Sequence, residues 1–140
     1  MRVARVVRVT ARRRQAFTHD VEIQGGHRLV IDEPEDAGGG NEGPSPTRTV
    51  AAALAACTAI TTEMYADRKG WDLGEVEVQV DMEYGEASRP RSFDVTLRVP
   101  AELTDDQMER LRTIAGKCPV HRLIAHEGDV SITDRVEPMR

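Results

Sequence analysis

The sequence predicts a single α+β domain over residues 1–140, with antiparallel strands around one long helix. Three features lead there. Alternating polar and apolar residues fill the opening segments around Gly25-Gly26, and an alanine-rich run from Thr47 reaches Gly70 without a breaker. A second alternating pair then gives way to short stretches of helical periodicity.

Val3 to Thr10 is rich in β-branched residues and reads as a strand. Phe17 to Gln24 alternates, with Phe17, His19, Val21 and Ile23 on one face. Gly25-Gly26 supplies the positive φ angles of a hairpin, and His27 to Asp32 returns. The three make an antiparallel meander with Arg12, Arg13 and Arg14 near its first turn. Pro34 to Pro46, with Gly38-Gly39-Gly40 and Pro44-Ser45-Pro46, reads as a loop.

The alanine-rich helix that follows is about 22 residues, or roughly 33 Å, long. Arg68, Lys69 and Gly70 end it with cations and a C-cap signal. So many small side chains imply close approach by another helix or a sheet. Gly74 to Tyr84 alternates through Val76, Val78, Val80 and Met82, and Ser92 to Val99 through Phe93, Val95, Leu97 and Val99. Thr104 and Gln107 form a capping-box pattern before a helix carrying Met108, Leu111, Ile114 and Ala115. Cys118-Pro119 opens another helix, with proline at its first position and Gly128 closing it. Asp129 to Val136 reads as a final strand.

Composition excludes several classes. The net charge is −5, and the aromatics are two Phe, two Tyr and one Trp. A nucleic-acid binder wants a basic face and stacking rings, so no nucleic-acid partner is expected. The longest apolar run, Thr49 to Thr62, reads as too short and too weak to span a membrane. The N-terminus has arginines but no apolar core of a secretory signal. The expected compartment is therefore a reducing cytoplasm, where a pair of cysteines points to chemistry more than to a staple.

Cys57 and Cys118 are the two cysteines. Cys57 sits mid-helix on a stripe with Val50, Ala53, Ile60, Thr61 and Met64, the setting of a buried small hydrophobe. Cys118 is at the N-cap before Pro119, where free backbone N–H groups and the helix dipole favour a thiolate. By this argument Cys118 is the more ionised thiol. Only the fold can bring the two together; within disulfide reach they could pass an oxidised sulfur between them. Cys118-x-x-His121 offers two metal ligands, with Cys57 a third and His19, His27 or His126 a fourth, but no Cys-x-x-Cys anchors such a site. No metal or cofactor is expected. Glu33, Glu35 and Asp36 read as a solvated acidic loop.

The segment GPSPTRTVAAALAACTAITTEMYADRKG, followed later by GKCPVHRLIA, resembles the OsmC/Ohr family of osmotically inducible and organic hydroperoxide resistance proteins. The opening meander and its Gly-Gly-His hairpin also fit. The resemblance implies an intertwined homodimer whose long helices are wrapped by strands of both subunits. It also implies thiol-dependent reduction of organic hydroperoxides, regenerated by a dithiol reductant, of lipoyl type in the family. By the resemblance Cys57 attacks the peroxide and Cys118 resolves the product, the reverse of the N-cap argument. An arginine of the N-terminal β region supplies charge in the family, and Arg14 is the candidate here. The family's glutamate after the helix-opening proline has no counterpart, because Thr47, Arg48 and Thr49 follow Pro46; Glu42 lies upstream. That departure leaves a second expectation open, a non-catalytic or redox-sensing dimer that binds a small apolar ligand.

Overall fold

The computed structural model describes residues 5–100 and 102–139. The chain forms two compact units, Met1–Ala52 and Ala53–Arg140, divided inside the long helix.

The first unit is a three-stranded antiparallel sheet of β1 (Val9–Gln15), β2 (Thr18–Ile23) and β3 (His27–Ile31), in the order β1-β2-β3. The meander is as expected, and Gly25 and Gly26 take φ of 110° and 89° at its hairpin. The first strand is displaced from its predicted position. Val3 and Ala4 lie outside the described residues, Val6 and Val7 are exposed and unpaired, and β1 instead runs through the arginines. The reason is register. Pairing starts at Val9 opposite Ile23, so the rest of β2 faces Thr10 to Arg13 and Gln15. Glu22 and Asp20 on β2 receive Arg12 and Arg14 as ion pairs.

Asp32, just after β3, is a buried carboxylate that gathers the following loop. It accepts from the Thr18 hydroxyl at 2.7 Å and from the N–H groups of Glu33, Gly40 and Glu42 at 2.7, 3.3 and 3.1 Å. The Thr18 bond, against the opposing effect of burial and with help from the three N–H donors, holds its pKa down at about 2. Within the loop Glu35–Ala37 makes one 3-10 turn. The backbone there is pressed close: a Cβ on Gly39 would lie 2.0 Å from the Glu33 carbonyl oxygen.

Helix α1 (Pro46–Lys69) has 24 residues. It is longer than the expected apolar run, and its 18-residue hydropathy of 1.2 suffices by length and composition to cross a membrane. Here it carries a buried line at Leu54, Thr58, Thr62 and Ala66. That is not the predicted stripe, since Val50, Ile60 and Met64 are exposed. Alanine all round the helix flattens the hydrophobic contrast, so periodicity could not choose the buried side. Thr62 satisfies its hydroxyl by donating to the Thr58 carbonyl at 2.9 Å.

In the second unit, Ala66, Leu73 and Leu111 form a core joined by Tyr65, Trp71, Val76, Leu97, Val99 and Leu103. Strands β4 (Glu77–Tyr84) and β5 (Pro90–Arg98) pair antiparallel, with Val78 opposite Leu97, Val80 opposite Val95 and Met82 opposite Phe93. Helix α2 (Asp105–Ala115) starts with the expected capping box of Thr104 and Gln107. Helix α3 (Pro119–Ile124) starts with Cys118 as N-cap. It ends at Ile124, before Gly128. The predicted strand 129–136 is unpaired: Val130 and Val136 are exposed, and Ile132 is 84% exposed. A strand needs a neighbour for its backbone groups, and β4-β5 remains a two-stranded sheet.

Asp32 stabilises the first unit as an anion. Because its folded pKa lies below the ordinary 3.8, this contribution is present above about pH 4 and fades as pH falls through 2. Asp32→Asn is therefore expected to be less stable at neutral pH, with the gap to wild type closing between pH 4 and 2 in urea unfolding. A gap that stays constant over that range would remove the charge from the account. Gly39→Ala should destabilise by about 1–3 kcal/mol through forced backbone movement.

Candidate functional site

Two helices deliver the two thiols of the second unit. The middle of α1 carries Cys57 beside the buried Thr58, with Thr61 one turn further on; the sulfur and the Thr61 hydroxyl are 3.9 Å apart. The bend between α2 and α3 carries Cys118, fully buried at 0% exposure, whose sulfur accepts from the His121 N–H at 3.4 Å. The thiols face and act on each other, both are free, and Cys57 is half-buried.

Burial and donors compete at each sulfur. For Cys57 burial raises the pKa, but the Cys118 thiol, the Val120 N–H and the Thr61 hydroxyl outweigh it and leave the group below its ordinary value. For Cys118 burial again comes first and raises the pKa. Its neighbour Cys57 adds to the rise, and the N–H groups of His121 and Val120 do not overcome it. Cys57 is thus the more ionised thiol, which corrects the N-cap expectation for Cys118. The donors at the start of α3 are present as expected, but the Val120 N–H also serves Cys57, and a sulfur sealed from water loses more by desolvation than the cap returns.

In the first unit the arginine triplet is engaged locally. Arg14 interrupts the β1 register and donates to Asp20, at 3.2 Å from its Nε; Arg12 pairs with Glu22, and Arg13 donates to the Ala16 carbonyl at 2.6 Å. The Asp20 bond, the charge of Asp20 and the more distant Glu42 and Asp32 keep the Arg14 guanidinium firmly protonated. Among the described residues no three His, Cys, Asp or Glu side chains gather as a metal site. The sequence places Thr61 on the Cys57 stripe, one helical turn on, but its role as a partner of the sulfur was not read from that spacing. The Val120 N–H escaped the sequence reading altogether, because that contact crosses between helices.

Residues 38–133 match the family described as OsmC-like protein. This chain belongs to the OsmC-like family. Solved structures agree on the fold. A neighbour from Psychrobacter arcticus 273-4, named for osmotic stress and detoxification response, is 21% identical, with a TM-score of 0.77 over 91% of this chain and 93% of its own. The organic hydroperoxide resistance protein OsmC of Legionella pneumophila is 20% identical, with a TM-score of 0.61 over 88% and 91%. The organic hydroperoxide resistance protein OhrB of Bacillus subtilis is 25% identical, with a TM-score of 0.56 over 84% and 89%. No curated protein matches the chain.

The unequal thiols of this OsmC-like chain set an expected order of modification. Iodoacetamide should alkylate Cys57 at least about tenfold faster than Cys118 at neutral pH, since exposure and thiolate character both favour it. Thr61→Val should move the midpoint of the Cys57 rate–pH profile upward by removing a donor to the thiolate. Peptide mass spectrometry reads both, and Cys118 labelling first would reverse the assignment.

Proposed function

We propose that this protein is a thiol peroxidase that reduces organic hydroperoxides through Cys57 and Cys118. The observation that carries the reading is the facing thiol pair, with Cys57 half-open and held low and Cys118 sealed and held high. Family membership and neighbours named for organic hydroperoxide resistance support the choice of substrate.

In this reading the Cys57 thiolate attacks the terminal oxygen of R–O–OH. The O–O bond breaks, the alkoxide leaves and takes a proton as ROH, and Cys57 becomes a sulfenic acid. The Cys118 thiol then attacks that sulfur; an S–S bond forms and water leaves. An external dithiol, of the lipoyl type implied by the family, returns both thiols by exchange. The Val120 N–H and Thr61 hydroxyl steady the attacking thiolate. Arg14 is the arginine proposed for the family's charge role. The active form in this reading is a cytoplasmic homodimer, supported by the exposed Val50, Ile60 and Met64 of α1 and the unpaired apolar residues of 129–136.

Cys57→Ser should abolish hydroperoxide turnover. Cys118→Ser should allow one turnover and leave Cys57 as sulfenic acid after one equivalent of cumene hydroperoxide, sliding to sulfinic acid with excess peroxide, as read by intact mass. Thr47, Arg48 and Thr49, where the family has a glutamate, favour a second reading as a redox sensor. A wild-type protein that forms the disulfide once, without turnover under excess dithiol, would establish that reading instead.

The dimer is tested separately. Sedimentation at micromolar concentration should give about twice the 15.5 kDa chain mass. A folded species at the chain mass would overturn the dimer.

A further inference from the structure

Within the second unit, β5 and α2 enclose a cavity of about 500 Å³ in which neither thiol is a lining side chain. That volume falls in the ~300–1,000 Å³ range of small-molecule sites. Its wall is apolar for a simple reason of spacing. Phe93, Val95 and Leu97 alternate along one face of β5, and Met108 of α2 stands opposite them.

Besides two threonines, Thr58 and Thr96, the wall carries two nitrogen-bearing side chains, Arg112 and His121. Arg112 is 81% exposed, and its guanidinium lies 3.5 Å from Glu109. One exposed ion pair leaves other N–H donors of the fork available, although a second carboxylate must share them with Glu109. His121 is half-buried, and its Nδ1 is the buried side-chain polar atom that lacks a hydrogen-bond partner among the described residues. A buried, unpartnered Nδ1 is better left as a lone pair than made an N–H, and a charged ring would bury an N–H there. That favours the tautomer with its proton on Nε2. The cavity thus combines an apolar strand face with a guanidinium held by one exposed ion pair and an imidazole whose buried Nδ1 has no partner.

We propose that this cavity binds an amphipathic monocarboxylic acid. The hydrocarbon chain lies along Phe93, Val95, Leu97 and Met108, and the carboxylate accepts from Arg112 and the His121 Nε2–H. Binding is noncovalent and independent of the peroxidase reading, since no sulfur takes part. It is nevertheless adjacent to the thiol chemistry, because the backbone N–H of His121 donates to Cys118.

The test is calorimetric titration of the full-length protein with dodecanoic acid and, in parallel, 1-dodecanol, both below their aggregation limits. The acid should bind saturably. Arg112→Gln, a surface change that leaves the fold intact, should weaken the acid by about tenfold and leave the alcohol unchanged, because the lost contact is a charge-assisted one. His121→Phe should weaken both ligands, with circular dichroism reporting that α3 persists. Cys57→Ser should bind the acid like wild type; its separate loss of hydroperoxide turnover keeps the two proposals distinguishable. The site assignment is overturned if the acid does not saturate, or if Arg112→Gln binds it as tightly as wild type. It is equally overturned if Phe93→Glu releases monomers from a dimer that ignores the acid, because the face is then a subunit contact.

Discussion

The buried line along α1, Leu54, Thr58, Thr62 and Ala66, is the constraint on which the second unit depends. These side chains recur every four residues and, apart from Leu54, are small. Small residues let neighbouring chain approach the helix backbone, and threonines inside a helix can be buried because their hydroxyls return to carbonyls one turn back. Ala66 at one end of the line joins Leu73 and Leu111 in the core, which ties the end of α1 to α2. Thr58 nearer the middle is next to Cys57, so burying that line also decides which way the thiol can face.

The chemistry of the thiol pair is a contest between desolvation and a few fixed donors. A helix start offers free N–H groups, and here two of them are aimed at sulfur. Donors of the same kind, one of them shared, have opposite outcomes at the two sites. Cys57 keeps some contact with solvent and adds the Thr61 hydroxyl; Cys118 is sealed and has Cys57 against it. Position at the N-cap therefore does not rank the thiols. Access to water does, because the Born-type penalty on a buried anion exceeds what one or two hydrogen bonds return.

The first unit solves a different problem with a charge of its own. A glycine- and proline-rich loop has no ladder to hold it, and Asp32 substitutes four hydrogen bonds to one carboxylate. The glycines of that loop are there for proximity: at Gly39 and Gly43 a Cβ would collide with the backbone carbonyls of Glu33 and Val30. Asp32 attracted no notice as a sequence feature, because a carboxylate at a strand end is ordinary until its donors are known.

By itself the sequence determined the fold class, the family, the hairpin at Gly25-Gly26, the capping box of Thr104 and Gln107, and Cys118 before Pro119. Each depends on residues close together in the chain, where backbone preference and side-chain spacing act directly. Tertiary structure alone decided the register that drew Arg12 to Arg14 into β1, the buried side of α1 and the order of thiol ionisation. It also left 129–136 unpaired. Those outcomes depend on partners distant in sequence: the length of β2, the packing of Ala66 on Leu111, and the approach of α3 to Cys57. An alanine-rich helix looks nearly the same from every side, and a strand without a neighbour has nothing to hold its backbone, so local pattern had no physical means of settling either.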